Sequence, residues 1–336
     1  MGKETTKRNL YINSQGGLGF NLALSHVLPE MKEKYDTICV ISPYFDVFES
    51  CKAVDYVYKP NEMRDFIFDA KRDDAKLICE RMYDSEDFIY KKLSYADAWR
   101  KACDLPIKNN QDGSDTKAVL DVGKKFPKVL ELADNYMNDV LGRGFDDFVI
   151  MQFEGGQTPL KQLPLAQDGK PDWSKEPTNY DDEPLKRHYP FEKAQEFISL
   201  FREKHPRTAI LMYQLPNEHH FEGVFENVIP YLAYYELAKK SACKGTVSID
   251  SSLQHMVAGV TKSVVIWGHS LPNSFGYEYN LNLIQKCNRD DILYFSALGP
   301  SGARIDYIKP EVLLEEVDNY LFVADKKEGK NEIQNS

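Results

Sequence analysis

The chain of 336 residues has no uninterrupted apolar stretch of about 18 residues, the length that spans a bilayer, so no segment is expected to cross a membrane. Its first residues, MGKETTKRNLYIN, lack the apolar core of a signal peptide, because the basic residues lead into a short apolar run that stops at Asn13. Positive charge is also scarce. Against 52 Asp and Glu stand 42 Lys and Arg, a net charge of -10, which disfavours nucleic acid as a docking partner and leaves room for a small phosphorylated ligand held by a few local donors. None of the six cysteines, Cys39, Cys51, Cys79, Cys103, Cys243 and Cys287, forms a CxxC pair. They suit reduced core thiols of a cytoplasmic protein better than a disulfide frame or a zinc site. No repeat of fixed period is present, and the glycine turn Gly16–Gly19 lacks the GxGxxG spacing of a dinucleotide fingerprint.

What the chain does have is an alternation of strands and helices. Leu10–Asn13 reads as a strand, SQGGLG breaks it, and Asn21–Lys34 carries Leu22, Ala23, His26, Val27 and Met31 at helical spacing. Strands are expected again at Thr37–Ser42 and Val54–Tyr58, which predicts a parallel sheet covered by helices. Three helical runs follow, Arg64–Arg81, Glu86–Cys103 and Lys117–Leu141, before the strand Phe148–Phe153. Residues 158–184 have no period and read as a long loop. The alternation then resumes, with helices over Glu192–Lys204, Tyr231–Lys240 and Leu253–Gly259 and strands over Thr208–Tyr213, Gly245–Ile249 and Ser263–Trp267. The length suits two domains that share a cleft, here 1–145 with a helical insertion and 146–310. A helix at 311–323 and a charged tail at 324–336, expected to be disordered, complete the chain.

The segment VSIDSSLQHMVAGV, Val247–Val260, concentrates polar groups where a buried strand passes into a helix. In an open parallel sheet, ligands bind beyond the carboxyl ends of the strands, and a helix start there offers unpaired backbone N–H groups. Ser251 and Ser252 can present hydroxyl and N–H groups to a phosphate, with His255 one turn in; equally, Asp250 or Ser251 can be a plain helix cap and His255 a satisfied core histidine. His269 projects from the carboxyl end of the next strand and is a further site candidate. His219 and His220 beside Glu218 have no other ligand at helical spacing and read as a solvated loop rather than a metal site. The aromatic run PYLAYYEL, Pro230–Leu237, reads as core and helix surface.

The wider segment Ile249–Gly276 resembles the C-terminal signature of the heptosyltransferase family, glycosyltransferase family 9. Asp250, Ser251, His255, Met256, Ala258, Val264, Val265 and Gly268 fall on it, while Ser252 stands at a usual glycine and Ser263 at a usual proline. RHYPFEKAQEF, Arg187–Phe197, is similar to the family's K-x-W-P segment, with Arg187 at the lysine and Lys186 beside it. TAILMYQLPNE and the first strand, glycine loop and helix agree in order, so the resemblance touches about two-thirds of the chain. It implies a GT-B fold, two Rossmann-like doubly wound domains facing across a cleft. It further implies inverting, metal-independent transfer of a heptose-like sugar from a nucleotide-sugar donor, an ADP-sugar being favoured, to a glycan or lipid-linked acceptor, with no separate cofactor. In that reading Lys186 and Arg187 contact the donor diphosphate, and Asp250, Ser251, Ser252, His255 and His269, with Gly17 and Gly19 across the cleft, surround it. A lipid-linked acceptor would bring the protein to the inner membrane face, although no docking patch stands out from the acidic balance. The oligomeric state is left open.

One departure from the pattern is chemical. The family places an Asp, the base that takes the acceptor proton, directly after the LG of the first loop, where this chain has Phe20. Either another acid reaches the cleft, Asp46 after the second strand or Glu154 after the Phe148–Phe153 strand, or the protein binds nucleotide sugars without turning them over.

Overall fold

The structure, a computed structural model, describes residues 8–82, 85–89, 93–109, 113–155, 188–214, 218–226, 229–268, 272–284, 305 and 308–323, and the backbone alone of 161–162 and 178–179. Two parallel sheets organise the chain. The first is built from β1 (Asn9–Asn13), β2 (Thr37–Ile41), β3 (Tyr56–Tyr58) and β4 (Lys76–Ile78), in the order β3-β2-β1-β4. In the second half come β5 (Asp147–Gln152), an antiparallel pair of β6 (Lys161–Gln162) and β7 (Thr178–Asn179), β8 (Thr208–Met212), β9 (Phe225–Glu226), β10 (Cys243–Ile249), β11 (Ser263–Trp267) and β12 (Leu281–Ile284). Six of these make the second sheet, in the order β12-β11-β10-β5-β8-β9. Its central strands are buried on both faces, which is why FVIM in β5 and SVVIW in β11 run apolar without alternation.

The strand orders place two special points. In the second sheet the chain starts at β5, winds outward through β8 and β9, then returns to the other side of β5 with β10. That is the doubly wound order, whose reversal leaves a crevice beyond the carboxyl ends of β5 and β10. The first sheet reverses in the same way between β1 and β4.

Helices cover both faces of each sheet. Leu18–Lys32 packs its Leu22, Val27, Leu28 and Met31 into a core that also holds Leu10, Ile12, Ile38 and Val40 of the first sheet. That core continues without a break to Phe148, Ile150, Leu211 and Val265 of the second sheet. Helix Pro127–Gly142, which leads into β5, lies against helix Tyr231–Ala238. The opposite face of the second sheet packs on Phe191–Lys204 and Pro310–Val317 through Phe153, Phe197, Phe201, Ile210, Ile249 and Leu313. Among the described residues no helix is long and apolar enough to cross a membrane.

Three expected helices are interrupted, the run Glu86–Cys103 being helical over Glu86–Ile89 and again over Tyr95–Ala102, where Ser94 starts a new helix. The run Arg64–Arg81 ends as a helix at Arg72; Asp74 takes a left-handed conformation (φ 45°), and the chain re-emerges as β4 on the free edge of β1. Asp tolerates that conformation better than most residues, and a three-residue strand is too short for its alternation to register. The run expected from Lys117 becomes helical only at Val122, because the preceding backbone is hydrogen-bonded elsewhere. Ser114 N–H donates to Gly276 O (2.8 Å), Glu278 N–H to Ser114 O (3.1 Å) and Ala118 N–H to Ala258 O (2.8 Å). Residues 113–121 are therefore a strap across the second half. The tail 324–336 and all but four residues of the loop 158–184 lie outside the described residues, as do Lys186, Arg187, His269 and Cys287.

Candidate functional site

The turn after β1 is organised by Asn21, which the sequence reading took only as the start of a helix. Its side chain is fully buried and makes four contacts. The hydroxyls of Ser14 and Ser42 each donate to Oδ1 (2.7 Å), and Nδ2 donates to the carbonyls of Gly17 (2.9 Å) and Gly16 (3.3 Å). Ser14 N–H in turn donates to Ile41 O at the end of β2 (2.9 Å). Gly16 sits at φ 119°, a conformation open to glycine, so the turn needs glycine there on backbone grounds.

At the reversal of the second sheet, Gln152 joins the two strand ends. Nε2 donates to Ser251 Oγ (3.1 Å), and Oε1 accepts from Leu253 N–H (3.3 Å). A buried Gln at the end of an apolar strand is the sequence signal that could have found it. Ser251 precedes helix Ser252–Met256 with an extended backbone and makes no side-chain cap bond, so the plain capping role does not hold for it. Asp250 is buried and accepts from Gln254 Nε2 within its own turn. Beyond β5, Glu154 is buried and accepts from both the backbone N–H (2.9 Å) and the ring of His219. A methyl on Gly155 would stand 3.5 Å from Ser251 Oγ, so Glu154–Gly155 and Asp250–Ser251 are neighbours at the crevice.

The two reversals meet. A methyl group on Gly19 would stand 2.9 Å from Cδ2 and 3.5 Å from Nε2 of His255, and 3.6 Å from the Cα of Ser252. The glycine loop of the first half and the polar junction of the second, more than 230 positions apart in sequence, are thus in van der Waals contact. Phe20, next in line, packs its ring on Tyr95 (5.3 Å between centroids) and edge-on to Phe275 (5.8 Å). Phe88 and Trp99 extend this aromatic cluster. At the position after LG, then, the chain builds an apolar contact between helix Leu18–Lys32, the helical insertion and the second half.

On the other side of the junction lies a group of tyrosines from both halves. Tyr213 and Ser252 share a hydroxyl–hydroxyl hydrogen bond (3.1 Å), and Tyr213 meets Tyr234 edge-on at 4.9 Å. Tyr44 meets Tyr231 edge-on at 6.4 Å, and the Tyr231 hydroxyl donates to Oδ1 of Asp46. Burial first, and the Asp46 carboxylate second, push the Tyr231 phenol well above its ordinary pKa, so it remains a donor. Asp46 thus comes from the first half, is part-buried, and touches the second. The sequence assigned this aromatic run to core and helix surface. Leu232–Ala238 are buried, but Tyr231 is half-exposed and faces Asp46. His219 and His220 bind separate carboxylates, Glu154 and Glu226.

Of the residues singled out in the sequence, the structure brings together Gly19, Ser252 and His255, with Gly17, Asp250, Ser251 and Glu154 on the adjoining turns and Asp46 reached through the tyrosines. Lys186, Arg187 and His269 fall outside the described residues.

Structural comparison recovers the same architecture in known enzymes. A family 9 glycosyl transferase from Veillonella parvula aligns over 94% of this chain and 97% of its own, with a TM-score of 0.62 at 9% identity. The ADP-heptose lipopolysaccharide heptosyltransferase II of E. coli aligns over 94% and 99%, with a TM-score of 0.59 at 12% identity. An iron-containing dodecameric glycosyltransferase of enterotoxigenic E. coli aligns over 95% and 77%, with a TM-score of 0.55 at 10% identity. No protein-family model and no curated protein sequence matches the chain. The chain therefore has the α/β fold, with parallel sheets, of GT-B glycosyltransferases.

Proposed function

We propose that the protein is a heptosyltransferase-like glycosyltransferase of family 9. In this reading its two halves form the facing domains of a GT-B enzyme, and it moves a heptose-like sugar from a nucleoside diphosphate donor, an ADP-sugar being favoured, to a glycan or lipid-linked acceptor. The observation that carries the reading is the contact of Gly19 with His255 and Ser252, where the reversal points of two doubly wound sheets meet. Sheet reversals are where such folds take nucleotides, and the fold is one that a family 9 glycosyl transferase and a heptosyltransferase of known structure share. The hydroxyls and N–H groups of Ser251 and Ser252, the ring of His255 and the open backbone at Gly17 and Gly19 supply donors for a diphosphate without a metal; Lys186 and Arg187 would add positive charge.

Inverting transfer requires a carboxylate to take the acceptor's hydroxyl proton as that oxygen attacks the anomeric carbon and the diphosphate departs from the other side. With Phe20 committed to an aromatic contact, that task falls to Asp46 or Glu154. Asp46 is the better placed, because it belongs to the half that holds the acceptor in this reading and stands beside half-exposed tyrosines. Glu154 is engaged twice by His219. Calorimetric titration with ADP, GDP and UDP, followed by turnover assays with the corresponding donor sugars, tests the proposal. Binding of ADP with transfer or slow hydrolysis of an ADP-sugar is expected. Binding without turnover would favour the non-catalytic reading, and absence of any nucleotide binding would overturn both.

A further inference from the structure

The carboxylate of Asp46 stands at the end of a chain of hydrogen bonds that begins in the buried glycine turn. Asn21 Oδ1 accepts from the Ser42 hydroxyl (2.7 Å), and Ser42 Oγ accepts from the N–H of Tyr44 (3.0 Å), two residues before Asp46. Asn21 and Ser42 are all but inaccessible, so the turn that carries Asp46 hangs from the same side chain that fixes the turn at Gly16 and Gly17. The second half closes on Asp46 from the other side. The Tyr231 hydroxyl donates to Asp46 Oδ1 across 185 positions of sequence, and the Tyr231 ring meets Tyr44 edge-on at 6.4 Å.

These contacts make the two oxygens of Asp46 unequal. Oδ1 accepts from Tyr231 and from the N–H of Val47 (3.1 Å), which together use both of its lone-pair directions. Oδ2 has no hydrogen-bond partner among the described residues, so it is the oxygen left to accept a proton. Glu154 differs in this respect, since His219 engages both of its oxygens, Oε2 through the backbone N–H and Oε1 through the ring.

We propose that Tyr231 is a positioning residue, supplied by the half that binds the donor, which holds Asp46 in the acceptor half with Oδ2 free to act as the base. The inference rests on the function proposed above. As the acceptor's hydroxyl oxygen bonds to the anomeric carbon, its proton passes to Oδ2, and the bond from that carbon to the diphosphate breaks with its electron pair leaving on the diphosphate oxygen. A base held in this way is complete only where the two halves meet.

Release of ADP from an ADP-sugar, with water in the place of the acceptor, reads this step in the whole protein, and titration with ADP reads binding separately. Asp46→Asn is expected to lower kcat by about a hundredfold or more. Tyr231→Phe, which keeps the ring on Tyr44 and loses only the hydroxyl, should lower it about tenfold, and both variants should keep the KM and ADP affinity of the unmodified protein. Unchanged ADP affinity also shows that each variant folds. In the doubly substituted protein the loss should equal that of Asp46→Asn alone, because Tyr231 acts through Asp46; a merely structural role would add its tenfold again. Additive losses, full kcat in Tyr231→Phe, or a Glu154→Gln protein that is inactive while Asp46→Asn is not, would each overturn the inference and leave the proposed function standing. ADP binding without turnover would overturn it in favour of the non-catalytic reading. Absence of ADP binding would overturn the proposed function, and the inference with it.

Discussion

Gly19 has no room for a side chain: a methyl there would press on the His255 ring from 2.9 Å, and that ring is held by Tyr277 and cannot swing away freely. Gly19→Ala is therefore expected to destabilise the protein by about 1–3 kcal/mol, the usual cost of overpacking, and to weaken ADP binding at the same time. A urea unfolding midpoint and a titration check the two effects. Asn21→Ala would leave the buried hydroxyls of Ser14 and Ser42 without their acceptor and release the glycine turn. A loss of about 1–3 kcal/mol is expected, read by the same midpoint. At this scale the sequence was partly legible. Glycines, serines and a histidine at strand ends announce themselves because ligand sites need donors and open backbone there. Gln152, at the end of an apolar strand, could have been found, but Asn21 and Tyr277 escaped notice because neither residue carries a sign of what it will face. Their partners lie up to 251 positions away, as with His26 and Tyr277.

Among the elements, helix Tyr95–Ala102 anchors the insertion. Ser94 caps it by accepting from Asp97 N–H (3.1 Å), and the nearly inaccessible Arg100 binds Glu30 of the first helix, Asp97 of its own turn and Asp115 of the strap. Removing that guanidinium leaves the buried Asp97 with only the backbone N–H groups of Lys108 and Asn109 and, among the described residues, Glu30 and Asp115 with Lys108 alone, so Arg100→Met is expected to cost about 3–5 kcal/mol in chemical denaturation. The same network sets an acid limit. Its hydrogen bonds from Arg100 hold the Glu30 carboxyl below its ordinary range, and Lys108 and Arg100 do the same for Asp115 against the cost of burial. A depressed carboxyl contributes stability that is present above its unfolded pKa and is lost as pH falls through the folded one. The network's share should therefore vanish below about pH 4, and the Arg100→Met variant should show a shallower loss there. Strands β1, β2, β5 and β11 were readable because parallel strands buried on both faces need apolar runs, and β10 because Val247 and Ile249 lead into the polar knot that follows. The strap 113–121 was not. Its extended shape follows from hydrogen bonds to Gly276, Glu278 and Ala258, and nothing in its own composition forbids a helix.

For the molecule as a whole, the two sheets share a continuous core, and the line His26–Tyr277–His255 passes between the halves. His26 has its pKa lowered to about 3, so the folded protein resists a proton that the unfolded chain takes up near pH 6.5. Stability from this group is complete above that pH and falls as the pH drops from about 6.5 toward 3, at up to about 1.4 kcal/mol per pH unit. Urea midpoints measured between pH 7 and 4 should decline more gently for His26→Asn than for the unmodified protein. The alternation of strands and helices made the doubly wound halves legible, and the order of motifs pointed to the family whose fold the comparisons recover. Their meeting at Gly19 and His255 was not legible, since it depends on how two sheets are set together. The crystal structure of the protein grown with ADP tests that meeting point most directly. The diphosphate is expected within hydrogen-bonding reach of Ser251, Ser252 and His255, against the glycine loop. A nucleotide bound away from both turns, or a junction left empty at saturating ADP, would contradict it.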